Sequence, residues 1–448
     1  MDNFTAFVSW PSAPLTASLV QKSLLSLDPS PVIAQRLPNS TNNGVLQWAT
    51  YDEIDHELTN SHDHHSDVLS SAYTFRKALT RKHFLSRTIH SYLTKNPDSG
   101  LGRAVPKTFE LEISFADELD EILADDLWDL SVILDADLCR WWILKPLSAF
   151  LSYRDIHVSN LSSGMADRGN GIRLFNSKSS LLQIFESFEG EQSEDEDDTA
   201  VITSQLRHFV IQEYLPNPLL IDPAEVSIDG SPVPKKLQGH KFHLRVYCVA
   251  LGALQLYVYK QILALFSALP YAPPERGENE SVDLTPHLTN TSLQTHRGEE
   301  GVRLLDELVG CHIQSGVDGT NIQLSEAHVA DLIEQISSVL AETFQAGLKN
   351  PVHFQALPNA FELFGVDFLV THQPSPGAPF QIQLLEINSE PAIELTGPRL
   401  SWILEDLFVS IGRVCVQPFF TKRKDETWPV GESRYGLLKC LDEQVRAT

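Results

Sequence analysis

Two carboxylates and an amide, Asp367, Glu386 and Asn388, stand in segments that are otherwise apolar. Asp367 interrupts the run from Phe361 to Val370, while Glu386 and Asn388 interrupt Leu384-Leu385-Glu386-Ile387-Asn388-Ser389-Glu390-Pro391. Both runs read as strands, joined by the Pro- and Gly-bearing loop from Thr371 to Pro379. Side chains alternate along a strand, so Glu386 and Asn388 share one face and Leu385 and Ile387 take the other. Burying such polar groups is costly unless something satisfies them, and a hard cation with oxygen ligands does so. Magnesium is the leading reading. A hydrogen-bonded strand end or a surface salt bridge is the alternative that these residues leave open.

Cations are spaced for a polyanion. The segment from Lys241 to Ala250 alternates strictly and puts Lys241, His243 and Arg245 on one face, an arrangement suited to phosphates. An exposed sheet face gives the same pattern. Lys145 closes the apolar strand Cys139 to Pro146, and the turn Asp167-Arg168-Gly169-Asn170-Gly171-Ile172 follows. Such a turn brings backbone amides close to phosphate oxygens, with Lys145 and Arg168 supplying charge. Otherwise, Lys145 simply snorkels to solvent. No Ser/His/Asp or Cys/His constellation suggests a covalent nucleophile.

The elements that must position these groups come next. Strands are expected from Phe209 to Pro216 and from Gln255 to Lys260. The clearest helix runs from Ser325 to Ala346, with Ser325 as cap and Gly347 as stop. A second, Ala72 to Leu93, is amphipathic, and its basic face carries Arg76, Lys77, Arg81, Lys82 and Arg87. That face either pairs with acidic neighbours or meets an acidic substrate or partner. An acidic helix is expected over Asp117 to Leu130 and a core helix over Pro398 to Cys415. The stretch 272–285 is a mobile lid or a plain connection, and 434–448 a loosely held tail. The first hundred residues are the least legible. Their patch Asn60 to Asp67, with three histidines, is a surface loop or a transition-metal site.

Length and charge bound the rest. A chain of 448 residues is expected to hold two or three units. The formal charge of −25 repels nucleic acid and anionic membranes, so neither is an expected partner. The acidic run Glu189 to Asp198 reads as a solvated, disordered insertion over about 189–200, with a basic partner as the alternative. Five scattered cysteines without a CxxC fit reduced thiols in a cytosolic or nuclear compartment. No apolar run is long enough to span a bilayer, and the N-terminus lacks signal-peptide character.

Taken in order, these pieces resemble the tubulin-tyrosine ligase family of the ATP-grasp superfamily. The resemblance runs from about Tyr73 to Ile411. It rests on Trp142-Ile143-Leu144-Lys145-Pro146, Arg168-Gly169-Asn170-Gly171-Ile172, Gln212-Glu213-Tyr214-Leu215, Lys241-Phe242-His243-Leu244-Arg245, His287-Leu288-Thr289-Asn290 and the strand pair with Asp367, Glu386 and Asn388. The segment Tyr73 to Tyr92 looks most like fungal members.

The resemblance implies an α+β, ATP-grasp fold, in which two α+β subdomains grip the nucleotide behind an N-terminal α/β domain. The expected units are 1–138, 139–213 and 214–448. ATP and Mg2+ are the implied cofactors. Lys145 and Arg168 would contact the phosphates, Gln212, Tyr214 and Leu215 would form the adenine edge with backbone donors and acceptors, and Gly169, Gly171, Ile172 and Glu213 complete the implied cofactor-binding set. Lys241 would reach the nucleotide, Arg245 the γ-phosphate and the intermediate, and Thr289 with Asn290 the reacting end. Asp367, Glu386 and Asn388 match the magnesium ligands.

The implied reaction joins a free amino acid to a carboxylate of a protein acceptor, tubulin or another cytosolic protein, through an acyl phosphate. A cytoplasmic monomer is expected. Two positions depart from the family: His243 stands where the pattern KFDLR has aspartate, and Leu265 where an arginine is usual. They keep open an alternative, a catalytically weakened ATP-binding interaction module, for example in cytoplasmic mRNA-decay assemblies. A small-metabolite ligase is a third possibility.

Overall fold

The structure, a computed structural model, describes residues 4–444 except 39–40, 42, 147–170, 194–206, 229, 231, 277–281, 290–298, 317–321, 374–378 and 423–426. Three sheets carry it. The first is parallel, built from β1 (Thr5–Ser9), β2 (Val32–Ala34), β3 (Val45–Ala49) and β4 (Val68–Ser70) in the order β2-β1-β3-β4. These strands are three to five residues long, too short for a period to show in the sequence.

The second sheet is antiparallel, in the order β5-β8-β6-β7: β5 (Thr108–Ile113), β6 (Trp142–Pro146), β7 (Arg173–Phe175) and β8 (Arg207–Glu213). Its core takes Leu119, Leu123, Leu130 and Leu134 from the helices Leu119–Ala124 and Trp128–Ala136. This layer therefore begins well before the boundary expected at residue 139. The acidic helix expected over Asp117 to Leu130 is two helices, interrupted at Asp125 to Leu127.

The third sheet is the spine. It comprises β9 (Leu220–Ile221), β10 (His240–Leu251), β11 (Gln255–Tyr259), β12 (Leu263–Phe266), β13 (Val302–Leu304), β14 (Phe361–His372), β15 (Phe380–Ser389), β16 (Ser433–Arg434) and β17 (Leu437–Asp442). β10 is shared by most of it: one edge pairs with β14, the other first with β12 and then with β11. One face packs on the helix Glu326–Leu348, through Leu332, Ile336 and Phe344 against Val366, Phe368 and Ile382. The opposite face is covered at one end by the N-terminal sheet and the helix Ser401–Ile411, where Trp48, Tyr247, Phe361 and Phe408 share a core. The other end of that face carries the candidate site.

Several expectations change. Ser325 does cap its helix, accepting from the His328 N–H at 3.2 Å, but Gly347 lies inside the helix. A Cβ there would stand 3.1 Å from Leu79 and 3.2 Å from Phe354, so this glycine permits close packing and stops nothing. The basic helix is two pieces, Lys77–Thr80 and Lys82–Lys95, separated at Arg81. The tail is not loosely held: β17 pairs with β11 and buries Leu437 and Leu441. Part of the acidic insertion is ordered as well, because Glu189 lies in the helix Lys178–Ser193 and accepts from the Ala116 N–H at 2.7 Å; 194–200 lie outside the described residues.

Candidate active site

β14 and β15 bring the three oxygen-bearing side chains together. Their register sets Asp367 opposite Glu386 and Gly365 opposite Asn388. Asn388 Nδ2 lies 3.4 Å from Asp367 Oδ2 and 3.3 Å from Glu386 Oε1, so all three converge on one point. Strict alternation breaks at one residue. A bulge slips the register, pairing Asp367 with Glu386 but Phe368 with Leu384, and Leu385 joins Glu386 on the cleft side instead of Ile387's.

Cations hold both carboxylates. Arg245, opposite Asp367 on β10, donates through Nε to Oδ1 and through Nη2 to Oδ2 at 3.0 Å. Burial opposes charge on Arg245, but the Asp367 carboxylate outweighs it and raises the guanidinium. Lys82 Nζ stands 3.2 Å from Glu386 Oε2. Burial alone would raise Glu386; Lys82 and Lys145 instead hold it far below the usual carboxylate range. The basic helix therefore pairs with acidic neighbours, through Lys82 here and through Arg87 with Glu110.

Lys82, Asp367 and Glu386 line a cleft between the second sheet and the spine. Ile143, Ile172, Leu215, Leu369 and Leu385 give it apolar walls, and Lys82, Lys145 and Lys241 give it charge. Lys145 donates to Gln212 Oε1 at 2.7 Å and is lowered by burial to about 8. Lys241 packs 4.5 Å over the Tyr214 ring; burial, then repulsion from Lys145, brings it down to about 7. His287 joins the lining, its Nδ1 2.9 Å from the Tyr214 hydroxyl, and burial with nearby Lys241 lowers it to about 4.

The expected adenine edge is more varied than its sequence suggests. Gln212, Glu213 and Leu215 line the cleft, and Glu213 is fixed by Arg140 at 2.6 Å. The Tyr214 N–H goes to Trp141 O at 2.9 Å, so it is taken as a backbone donor, and Tyr214 is not among the residues that line the cleft. Gly171 has a φ of 83°, and a Cβ there would lie 3.1 Å from Pro146, so the turn needs glycine. Thr289 lines the cleft and contacts His243. Arg168, Gly169 and Asn290 lie outside the described residues. Leu265 is buried in the apolar core with Leu263 and Val302, not among the cleft residues.

Sequence reasoning gave Lys82 and His287 no place in the site. Lys82 had a signal, a cation at a helix start, but lies about 300 residues from Glu386 in the chain. Among the described residues no group of three or more His, Cys, Asp and Glu side chains already forms a metal cage, the His62 to His65 patch included. The donor set of Asp367, Glu386 and Asn388 fits a hard divalent ion with the Asn388 amide turned so that its oxygen replaces the nitrogen now facing the carboxylates, and it is already compensated by positive charge.

A solved structure shares this architecture: the C-terminal domain from K. lactis Pby1, described as an ATP-grasp enzyme interacting with the mRNA decapping enzyme Dcp2. The two agree with a TM-score of 0.66 at 27% identity over 99% of each chain. The fold is ATP-grasp. A sequence profile of the tubulin-tyrosine ligase family matches residues 60–424, and the chain belongs to that family. It is 34% identical over 445 residues to the "Probable tubulin--tyrosine ligase PBY1" of Saccharomyces cerevisiae, covering 92% of this chain and 52% of that one. It is 32% identical to the "Probable tubulin--tyrosine ligase C12B10.04" of Schizosaccharomyces pombe, covering 86% of each. The chain thus spans about half the length of the first relative.

Proposed function

We propose that the chain is an ATP-dependent carboxylate–amine ligase that attaches an amino acid to a protein acceptor in the cytoplasm. The supporting observation is the convergence of Asp367, Glu386 and Asn388 beside a cleft lined by Lys82, Lys145 and Lys241, with Arg245 paired to Asp367. Asp367, Glu386 and Asn388 would hold a divalent ion, which supplies charge neutralisation on the phosphates. The aliphatic walls take the base, and Lys145 and Lys241 take the phosphates. Arg245 turns from Asp367 toward the γ-phosphate and stabilises its transferring charge.

In the reaction, a carboxylate oxygen of the acceptor bonds to the γ-phosphorus and ADP leaves. The amine then bonds to the acyl carbon, phosphate leaves, and the amine loses a proton. The protein's share is alignment and electrostatics. Purified protein with ATP, magnesium, tubulin and labelled tyrosine, glutamate or glycine should incorporate label, and Glu386→Gln should abolish it. Failure with every acceptor and amino acid overturns the ligase reading.

A second reading, a nucleotide-binding module that assembles with mRNA-decay proteins, is favoured by one observation: its structural relative is described as interacting with Dcp2. If Glu386→Gln leaves the cellular role intact, that module is the better account.

A further inference from the structure

His243 stands where the family carries aspartate, and its surroundings give it a task. On β10 it sits two residues before Arg245 and faces the same cleft. Its side chain is 4% exposed and that of Asp367 5%. Nδ1 is engaged by Thr289 Oγ1 at 2.6 Å. Nε2 is buried without a hydrogen-bond partner and lies 3.6 Å from Asp367 Oδ1, too far for a hydrogen bond.

A carboxylate offers about four acceptor positions. Asp367 uses three: Arg245 Nε on Oδ1, and Arg245 Nη2 and Asn388 Nδ2 on Oδ2. The remaining position belongs to Oδ1, the oxygen nearest the unpartnered imidazole nitrogen. Burying such a nitrogen without a partner is costly. A cation shared by the two atoms resolves this. Two ligand atoms each about 2.0–2.2 Å from one ion, at angles between 90° and 120°, lie about 2.8–3.8 Å apart, and 3.6 Å falls inside that range.

We infer that His243 Nε2 joins Asp367 as a direct ligand of the divalent ion and shifts the site from Mg2+ toward first-row ions that accept imidazole, such as Mn2+. Oxygen-only sites suit magnesium, whereas an added nitrogen favours the softer ions. The inference rests on the ligase reading for the presence of the ion at Asp367.

The test uses the whole chain with Mn2+ and a non-hydrolysable ATP analogue, read by pulsed electron paramagnetic resonance. Imidazole nitrogen modulation is expected in the wild type. It should vanish in His243→Gln and persist in His287→Gln, the other histidine of the cleft. Metal competition should show the preference for Mn2+ over Mg2+ falling about tenfold in His243→Asp. Bound Mn2+ without nitrogen modulation, or modulation that survives His243→Gln, overturns this inference alone. Failure to take up Mn2+ with the analogue overturns it together with the ligase reading.

Discussion

Lys241 ties site chemistry to pH. In the unfolded chain it keeps its proton to its ordinary value of 10.5, in the fold only to about 7. Between those values the unfolded state binds more protons, so this residue makes stability rise with pH; below about 7 the buried charge is retained and opposes folding in full. Phosphates at the cleft would return the proton. Calorimetry at pH 8 in buffers of different ionisation enthalpy should therefore show proton uptake on nucleotide binding, mostly at Lys241 with a smaller share at Lys145. Independence of the buffer would remove Lys241 from the phosphate site. Glu386→Gln should weaken magnesium-dependent nucleotide binding by about tenfold or more, because it removes a proposed ligand and leaves Lys82 without its carboxylate.

At the scale of elements, β14 rests on one glycine. A Cβ on Gly365 would stand 2.7 Å from Pro391 Cβ and 3.4 Å from Arg245 Cδ. Gly365→Ala should cost about 1–3 kcal/mol in urea unfolding as β14 and Pro391 are pushed apart, and because Gly365 stands opposite Asn388, nucleotide affinity should fall with stability. A stable variant of unchanged affinity would separate the two. Longer elements were legible because their patterns repeat: β10, β14 and β15 run 12, 12 and 10 residues. The bulge at Leu385 was not, since a period of two carries no sign of where a register slips. Nor was β17, whose Leu437, Lys439 and Leu441 alternate in only six residues. It shields one edge of β11, and a chain ending at residue 432 should lose solubility by exposing that edge. Unchanged solubility and melting would show the strand to be dispensable.

Across the whole molecule, the two chain ends share one core. Leu19, Leu24 and Trp48 pack with Leu404, Leu407 and Phe408, although the family profile begins only at residue 60. A fragment 60–448 should therefore fail to fold cooperatively, and Trp48→Ala should cost about 3–5 kcal/mol, both measurable by calorimetric melting. A fragment that melts like the full chain would show the first sheet to be an independent layer. No such joining of ends was readable in sequence, where the first hundred residues show only short apolar runs. No helix among the described residues is long and apolar enough to cross a membrane.

The paired charges on the cleft floor have a further consequence. With Arg245 on Asp367 and Lys82 on Glu386, a metal ion arriving alone adds positive charge beside cations that have no second anion to turn to, and a naked triphosphate that draws those cations away leaves the carboxylates uncompensated. Arriving together, each supplies what the other displaces, so the two ligands should enter as an exchange of partners. Each should tighten the other's hold by the same factor.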